Sequence, residues 1–394
     1  MRNLLEGVKV LAVEQYAAGP YGTMLLADLG AEIVKIENRE TGGDFSRGLG
    51  PHRLGEHDSE FFQTFNPGKK SVCLDLKSPA DRRRFERLVR DADAVANNLR
   101  GDKPEKLGLT FAQLKTVNPA IVCAHLSAYG RDNSRAAWPG YDYLMQAEAG
   151  FLSMTGEPGG PPARFGLSII DFMTGLMMAF GLVSAVLSAR RTGEGCDVDT
   201  SLYDVALHQL SYPATWYLNE GERTERLPRS AHPSITPSQL VTTRNGWLFL
   251  MCQTQGFWEE FCRLAEREEW TARPEFATMD ARRENRARLQ EELDALFATQ
   301  DTEHWIGLLA GRVPVAPVHD IAGALDNPFV REAEMLRILP HPMKPGGVSI
   351  PGAPFRVNGE RPPGRPAPAL GQHTEEFLKP ARRGPGAPEG GHET

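Results

Sequence analysis

The sequence predicts an α/β protein: a Rossmann-like large domain with a parallel sheet, plus a smaller α+β domain. Three observations carry this. Short apolar runs alternate with amphipathic helical stretches through the first 130 residues, the pattern of βαβ units wrapped on both faces of a parallel sheet. The chain of 394 residues exceeds the ~250–300 residues at which a single core stops growing. A polar, Arg-, Ser- and Pro-rich stretch at 217–239 separates two regions of different pattern.

The elements follow in order. VKVLAVE (8–14) is a strand, the turn contains Gly19-Pro20, and YGTMLLADLG (21–30) is a helix closed by Gly30, with Pro20 suited to the first helical position. AEIVKIE (31–37) is the second strand. Strands follow at 71–76, 93–99 and 120–130, with helices at 78–92 and 110–118. A long apolar helix spans 171–191, and 197–210 reads as a strand end running into a helix. The large domain is thus placed at 1–216, a linker at 217–239, the small domain at 240–325, a return to the large domain at 326–380, and a disordered tail at 381–394. The return is dense in Pro and Gly from 340 to 372 and is expected to be extended.

Composition excludes several classes. With a net charge of −7, the chain lacks the clustered positive excess of a nucleic-acid surface. Its five cysteines are scattered, with no C-x-x-C pair, which fits a reduced cytoplasmic setting without a disulfide framework. The histidines follow no metal-ligand spacing, so no metal site is expected. The opening MRNLLEGVKVLAVEQY lacks the shape of a signal peptide. The run FMTGLMMAFGLVSAVLSA (172–189) is uncharged, but it contains two glycines and three hydroxyl residues and falls short of the ~20 apolar residues of a membrane span. A buried core helix and no membrane association are expected. The first βαβ unit invites a dinucleotide, yet its turn reads A-A-G-P-Y-G rather than G-x-G-x-x-G.

Asp171 stands between the strand-like FGLSII and the long apolar helix. One reading is a helix N-cap. The other is a nucleophile kept ionised by the helix dipole. His125, on a buried strand, reads as a hydrogen-bonded core histidine.

Several runs carry a resemblance: LLEGVKVLAVEQYAAGPYGTMLLADLGAEIVKIE with GGDFSR (42–47), NPGKKSVCLDLKSP (66–79), NNLRGDKPEKLGL (97–109), NPAIVCAHLSAYG (118–130), PGYDYLMQAEAG (139–150) and LGQHTEEFL (370–378). In this order they resemble the family III CoA-transferases, whose superfamily also holds α-methylacyl-CoA racemase. The resemblance implies interlinked homodimers, coenzyme A and acyl-CoA as substrates, no permanently bound cofactor, and Asp171 as the covalent nucleophile. It implies CoA contacts at Gln15, Ala17, Ala18, Asn38, Leu74, Asp75, Leu76, Lys77, Asn98, Leu99, Arg100, Lys106, Tyr141 and Asp142. Arg39 is a substitute for an arginine of the family that is Asn38 here, while Lys106 keeps the charge of another but loses its fork. Gln15 and Asp142 would position the reacting anhydride, and Arg47 would meet a distal carboxylate of the substrate. Succinyl-CoA is the expected donor and a small di- or hydroxy-carboxylic acid the acceptor. The glycine-rich loop of formyl-CoA transferase is not evident at 238–260, which disfavours formyl transfer. The alternatives are a CoA-binding protein without catalysis and a 2-methylacyl-CoA racemase. Against the racemase, Gly140-Tyr141-Asp142 carries tyrosine where the resembling racemases have a histidine base, and an ordinary phenol is a poor base at neutral pH.

Overall fold

The computed structural model describes residues 3–379; the expected tail at 381–394 lies outside the described residues. The chain forms two compact units. Among the described residues, the first comprises 3–145, Ser168–Ala206 and 331–379; the second comprises Gln146–Leu167 and Leu207–Val330.

The first unit holds a six-stranded parallel sheet. Its strands are β1 (Lys9–Val13), β2 (Glu32–Glu37), β3 (Lys70–Cys73), β4 (Ala94–Asn97), β5 (Val122–Ser127) and β6 (Asp197–Ser201). They lie in the order β3-β2-β1-β4-β5-β6, the doubly wound arrangement in which the crevice opens between β1 and β4. Helix α1 (Ala18–Asp28) connects β1 to β2, and α2 (Pro79–Val89) connects β3 to β4. Alternation along the strands sends Leu11, Val34, Val72, Val95 and Cys123 to the α2 face, where they pack with Phe85 and Val89. Helix α3 (Asp142–Glu148) begins at the edge of this unit, and α4 (Ile169–Thr192) packs on α1 and β5.

The α1–α4 crossing depends on two glycines. A Cβ at Gly22 would overlap the Gly175 carbonyl oxygen, and one at Gly175 would overlap the Ala18 carbonyl oxygen. Only glycine lets the two backbones approach so closely, and the approach sets the first turn of α4 beside the first turn of α1. By length and composition α4 could cross a membrane. Ile170, Thr174, Met178, Leu182 and Val186 nevertheless bury one face of it in the first unit.

The second unit has a three-stranded antiparallel sheet (Ser238–Thr242, Trp247–Met251, Val315–Pro317). Trp258, Phe261, Trp270, Phe276, Phe297 and Trp305 form its aromatic core.

Several boundaries differ from the sequence expectation. Residues 146–167 and 207–216, assigned to the large domain, belong to the second unit. The expected linker is partly structured: helix Ser211–Glu220 runs into it, and a strand starts at Ser238. The first helix begins at Ala18, so Pro20 sits within its first turn, where a missing N–H costs nothing. The Pro- and Gly-rich return contains an antiparallel hairpin, Leu336–His341 with Lys344–Pro351. Its alternation is masked because Arg337 is buried on an ion pair with Asp28 (2.6 Å) while Leu336 and Ile338 face outward.

Candidate active site

All six parallel strands end on one edge of the sheet, and the segments leaving β1, β4 and β5 meet there. Between them lies a cavity of about 360 Å³, at the switch point where such sheets place ligands. Gln15, Tyr16, Ala17 and Ala18 follow β1; Asn98, Leu99 and Arg100 follow β4; Asp171 and Tyr141 also line it. Of the expected site residues, the structure therefore brings Gln15, Ala17, Ala18, Asn98, Leu99, Arg100, Tyr141 and Asp171 to one cavity.

The turn after β1 is held at four of its backbone groups. The Lys35 ammonium donates to the Glu14 carbonyl (2.9 Å). Asn98 accepts from the Gln15 N–H (2.9 Å) and donates to the Gln15 carbonyl (2.7 Å). Asp44 accepts from the Tyr16 N–H (3.0 Å) and pairs with Lys35 at 2.7 Å, both side chains fully buried. Tyr16 adopts φ +70°, a left-handed conformation that costs an L-residue about 1–2 kcal/mol. Asn98 thus borders the cavity and also fixes the loop opposite it.

Asp171 is the third residue of α4, past the cap position, which Ser168 occupies without a side-chain hydrogen bond. The capping is done by Asp142. One of its carboxylate oxygens accepts from the N–H of Ile170 (2.6 Å) and of Asp171 (3.0 Å). The Asp171 carboxylate makes no hydrogen bond among the described residues, and the residue is only 5% exposed. Burial, and then the negative charge of Asp142, push its carboxyl up from 3.8 to about 7. The expectation that the helix end would keep Asp171 ionised is corrected here, because desolvation outweighs the dipole.

Other expected residues stand elsewhere. Arg47 is not available to a substrate: it is 1% exposed, its Nε and Nη2 both bond the Glu37 carboxylate at 2.8 Å, and its Nη1 reaches two backbone carbonyls. Asp142 does not line the cavity, and the oxygen described above serves the α4 backbone. Lys106 is exposed and pairs with Asp102 at 2.8 Å; Lys103, not singled out from the sequence, lines the cavity instead. Asn38 caps a short 3₁₀ turn at Arg39–Thr41, accepting from the Glu40 N–H. Leu74 is buried and Leu76 packs on the same core, while Asp75 ties the turn by accepting from the Lys77 N–H. Asn38, Arg39 and the 74–77 turn leave β2 and β3 on the same sheet edge as the cavity but do not line it. His125 is the expected core histidine, held by Asn97 and Asp197 at 2.8 Å each.

Tyr16 was not legible as a site residue, since nothing in the sequence marks a left-handed tyrosine. Lys103 had a signal: it stands one turn before Lys106 in the same basic motif.

Comparison with known proteins gives the family. A model of CoA-transferase family III matches residues 5–374. The chain is 34% identical to succinyl-CoA:mesaconate CoA-transferase of Haloarcula hispanica, covering 97% of both chains. It is 30% identical to human succinyl-CoA:glutarate CoA-transferase, over 97% of this chain and 87% of the relative. Among solved structures, a CAIB/BAIF family protein from Brucella suis superposes with a TM-score of 0.81 at 29% identity, over 96% of this chain and 99% of that one. The chain belongs to CoA-transferase family III and is an enzyme that transfers coenzyme A.

Proposed function

We propose that this enzyme takes coenzyme A from succinyl-CoA and gives it to a small dicarboxylic acid, with Asp171 as covalent nucleophile. The observation that carries the chemistry is a buried carboxylate, free of hydrogen bonds among the described residues, on the wall of a cavity at the sheet's switch point. The substrates rest on the relatives, whose names pair succinyl-CoA with mesaconate and with glutarate.

Covalent catalysis splits one difficult exchange into easier ones. The ionised Asp171 attacks the succinyl thioester carbonyl, expelling the CoA thiolate and leaving a mixed anhydride. The thiolate attacks the aspartyl carbonyl, expelling succinate and leaving an aspartyl-CoA thioester. The acceptor carboxylate attacks that thioester, and the released thiolate then attacks the acceptor's acyl carbon, restoring Asp171. Each tetrahedral intermediate needs donors aimed at its oxyanion. The first turn of α1 has no side-chain cap, so its orphan amides are available, and the small Ala17 and Ala18 at the cavity wall let an oxygen come close. Gln15, exposed on the same wall, is placed to hold the anhydride. Arg100 and Lys103 supply positive charge to the anionic substrates. The nucleotide end of CoA would run along the sheet edge past Asn38, Arg39 and the 74–77 turn.

The enzyme works, in this reading, as a cytoplasmic homodimer. Leu176, Met177, Phe180 and Leu187 form an exposed apolar stripe on α4, with Phe180 70% exposed, and a second copy would cover it. The mechanism is tested by incubating the protein with succinyl-CoA and hydroxylamine. A hydroxamate on the Asp171 peptide, absent from Asp171→Ala, is expected in mass spectra. Full transferase activity in Asp171→Ala would sink the assignment.

A further inference from the structure

We infer that the Tyr16 hydroxyl donates a hydrogen bond to the carbonyl oxygen of the acyl group that Asp171 attacks. The inference rests on the reading of Asp171 as nucleophile and adds a residue to it.

The argument begins with the backbone. Tyr16 sits at φ +70°, where glycine would be free of strain and a tyrosine is not. Strained residues persist only where their surroundings over-determine them, and they cluster at functional sites. Here the over-determination is explicit. Asn98 grips both backbone groups of Gln15, Asp44 accepts from the Tyr16 N–H, and Lys35 locks Asp44 from the protein interior. A buried ion pair and an asparagine fork thus hold a conformation that the side chain itself disfavours. If only the backbone path mattered, glycine would supply it.

The side chain points to the same conclusion. Its ring lies 5.4 Å from that of Phe61 and 6.4 Å, edge-on, from that of Tyr141, and Tyr16 and Asp171 border the same cavity. Burial raises the phenol above its ordinary 10, and the charge of Asp171 raises it further. The hydroxyl therefore keeps its proton throughout the working range and acts as a donor, with no proton transferred. A phenol beside the nucleophile is suited to the oxygen that gains charge when the thioester carbonyl is attacked.

The test compares Tyr16→Phe and Tyr16→Gly with wild type, using succinyl-CoA and mesaconate. Tyr16→Phe keeps the ring and its packing. We expect its kcat to fall roughly 10²-fold, the usual loss of one oxyanion donor, with KM for succinyl-CoA unchanged. Tyr16→Gly relieves the backbone strain and should unfold no more readily than wild type, yet turn over no faster than Tyr16→Phe. A wild-type kcat in Tyr16→Phe would overturn the inference, since a packing role survives that change. Failure of the nucleophile assignment reads out separately: wild type would then turn over fully without forming a hydroxamate at Asp171.

Discussion

Replacing Asp171 by asparagine should stabilise the protein, and by an amount that depends on pH. In the folded chain the carboxyl titrates near 7 instead of 3.8, because it is buried and because Asp142 is close. Below pH 3.8 both folded and unfolded states carry the proton, and Asp171 costs nothing. Between 3.8 and 7 the unfolded chain ionises while the folded one holds its proton, so stability falls as pH rises. Above 7 the full cost is present, on the order of 4 kcal/mol as an upper bound. Asparagine keeps the shape and never ionises, so the difference between variant and wild type should open across this window. Urea unfolding followed by circular dichroism at pH 5, 6, 7 and 8 measures it, with a steeply widening gap in midpoint expected. Parallel midpoints across the series would refute the argument, and so would a gap that closes toward alkaline pH.

Three further outcomes follow from the same site. With the ionised carboxylate as nucleophile, kcat/KM should rise through pH 7 and level off above it, and Asp142→Asn should move that rise to lower pH by removing the neighbouring charge. Lys103→Ala should raise KM for succinyl-CoA roughly tenfold, the size of one charge-assisted hydrogen bond, whereas Lys106→Ala should leave steady-state kinetics nearly unchanged. In deuterated water without acceptor, 2-methylacyl-CoA should gain no α-deuterium by mass spectrometry; exchange at enzymatic rates would favour racemisation.

The sheet was legible because each strand is a short apolar run bounded by turn residues, and five of the segments expected as strands or strand ends fall on β1, β2, β4, β5 and β6 with ends shifted by a few residues. At β3 the apolar run continued past the strand, since Leu74 and Leu76 are core residues of a turn. Asp171 was singled out through family likeness and the apolar helix that follows it. What sequence hides is the partner. The motif GGDFSR shows an arginine but not the Glu37 carboxylate that closes on its Nε/Nη2 edge. Asp142 was read as a substrate contact because the resembling transferases have polar residues close to that position; its hydrogen bonds to the backbone of α4 appear only when α3 and α4 are seen together. Positive φ at Tyr16 comes from contacts with residues 28 and 82 positions further along the chain, beyond the reach of local propensity.

The arrangement around Asp171 joins stability to chemistry. Asp142 holds the first turn of α4 through two amides while its charge raises the cost of a second negative charge beside it. An environment that penalises the Asp171 anion does not penalise an acylated Asp171, since the mixed anhydride and the aspartyl-CoA thioester are both neutral at that carbonyl. In the proposed mechanism the penalty would therefore lower the covalent intermediates relative to the free ionised enzyme. Near neutral pH the carboxyl is poised close to its midpoint, so a sizeable fraction is ionised and able to attack. A carboxylate with an ordinary value of 3.8 in a polar pocket would be ionised more completely, but it would gain less by becoming acylated. With Asp171 as the proposed nucleophile, burial would give up part of the nucleophile population, and some of the fold's stability, in return for a covalent intermediate that the site favours over the bare anion.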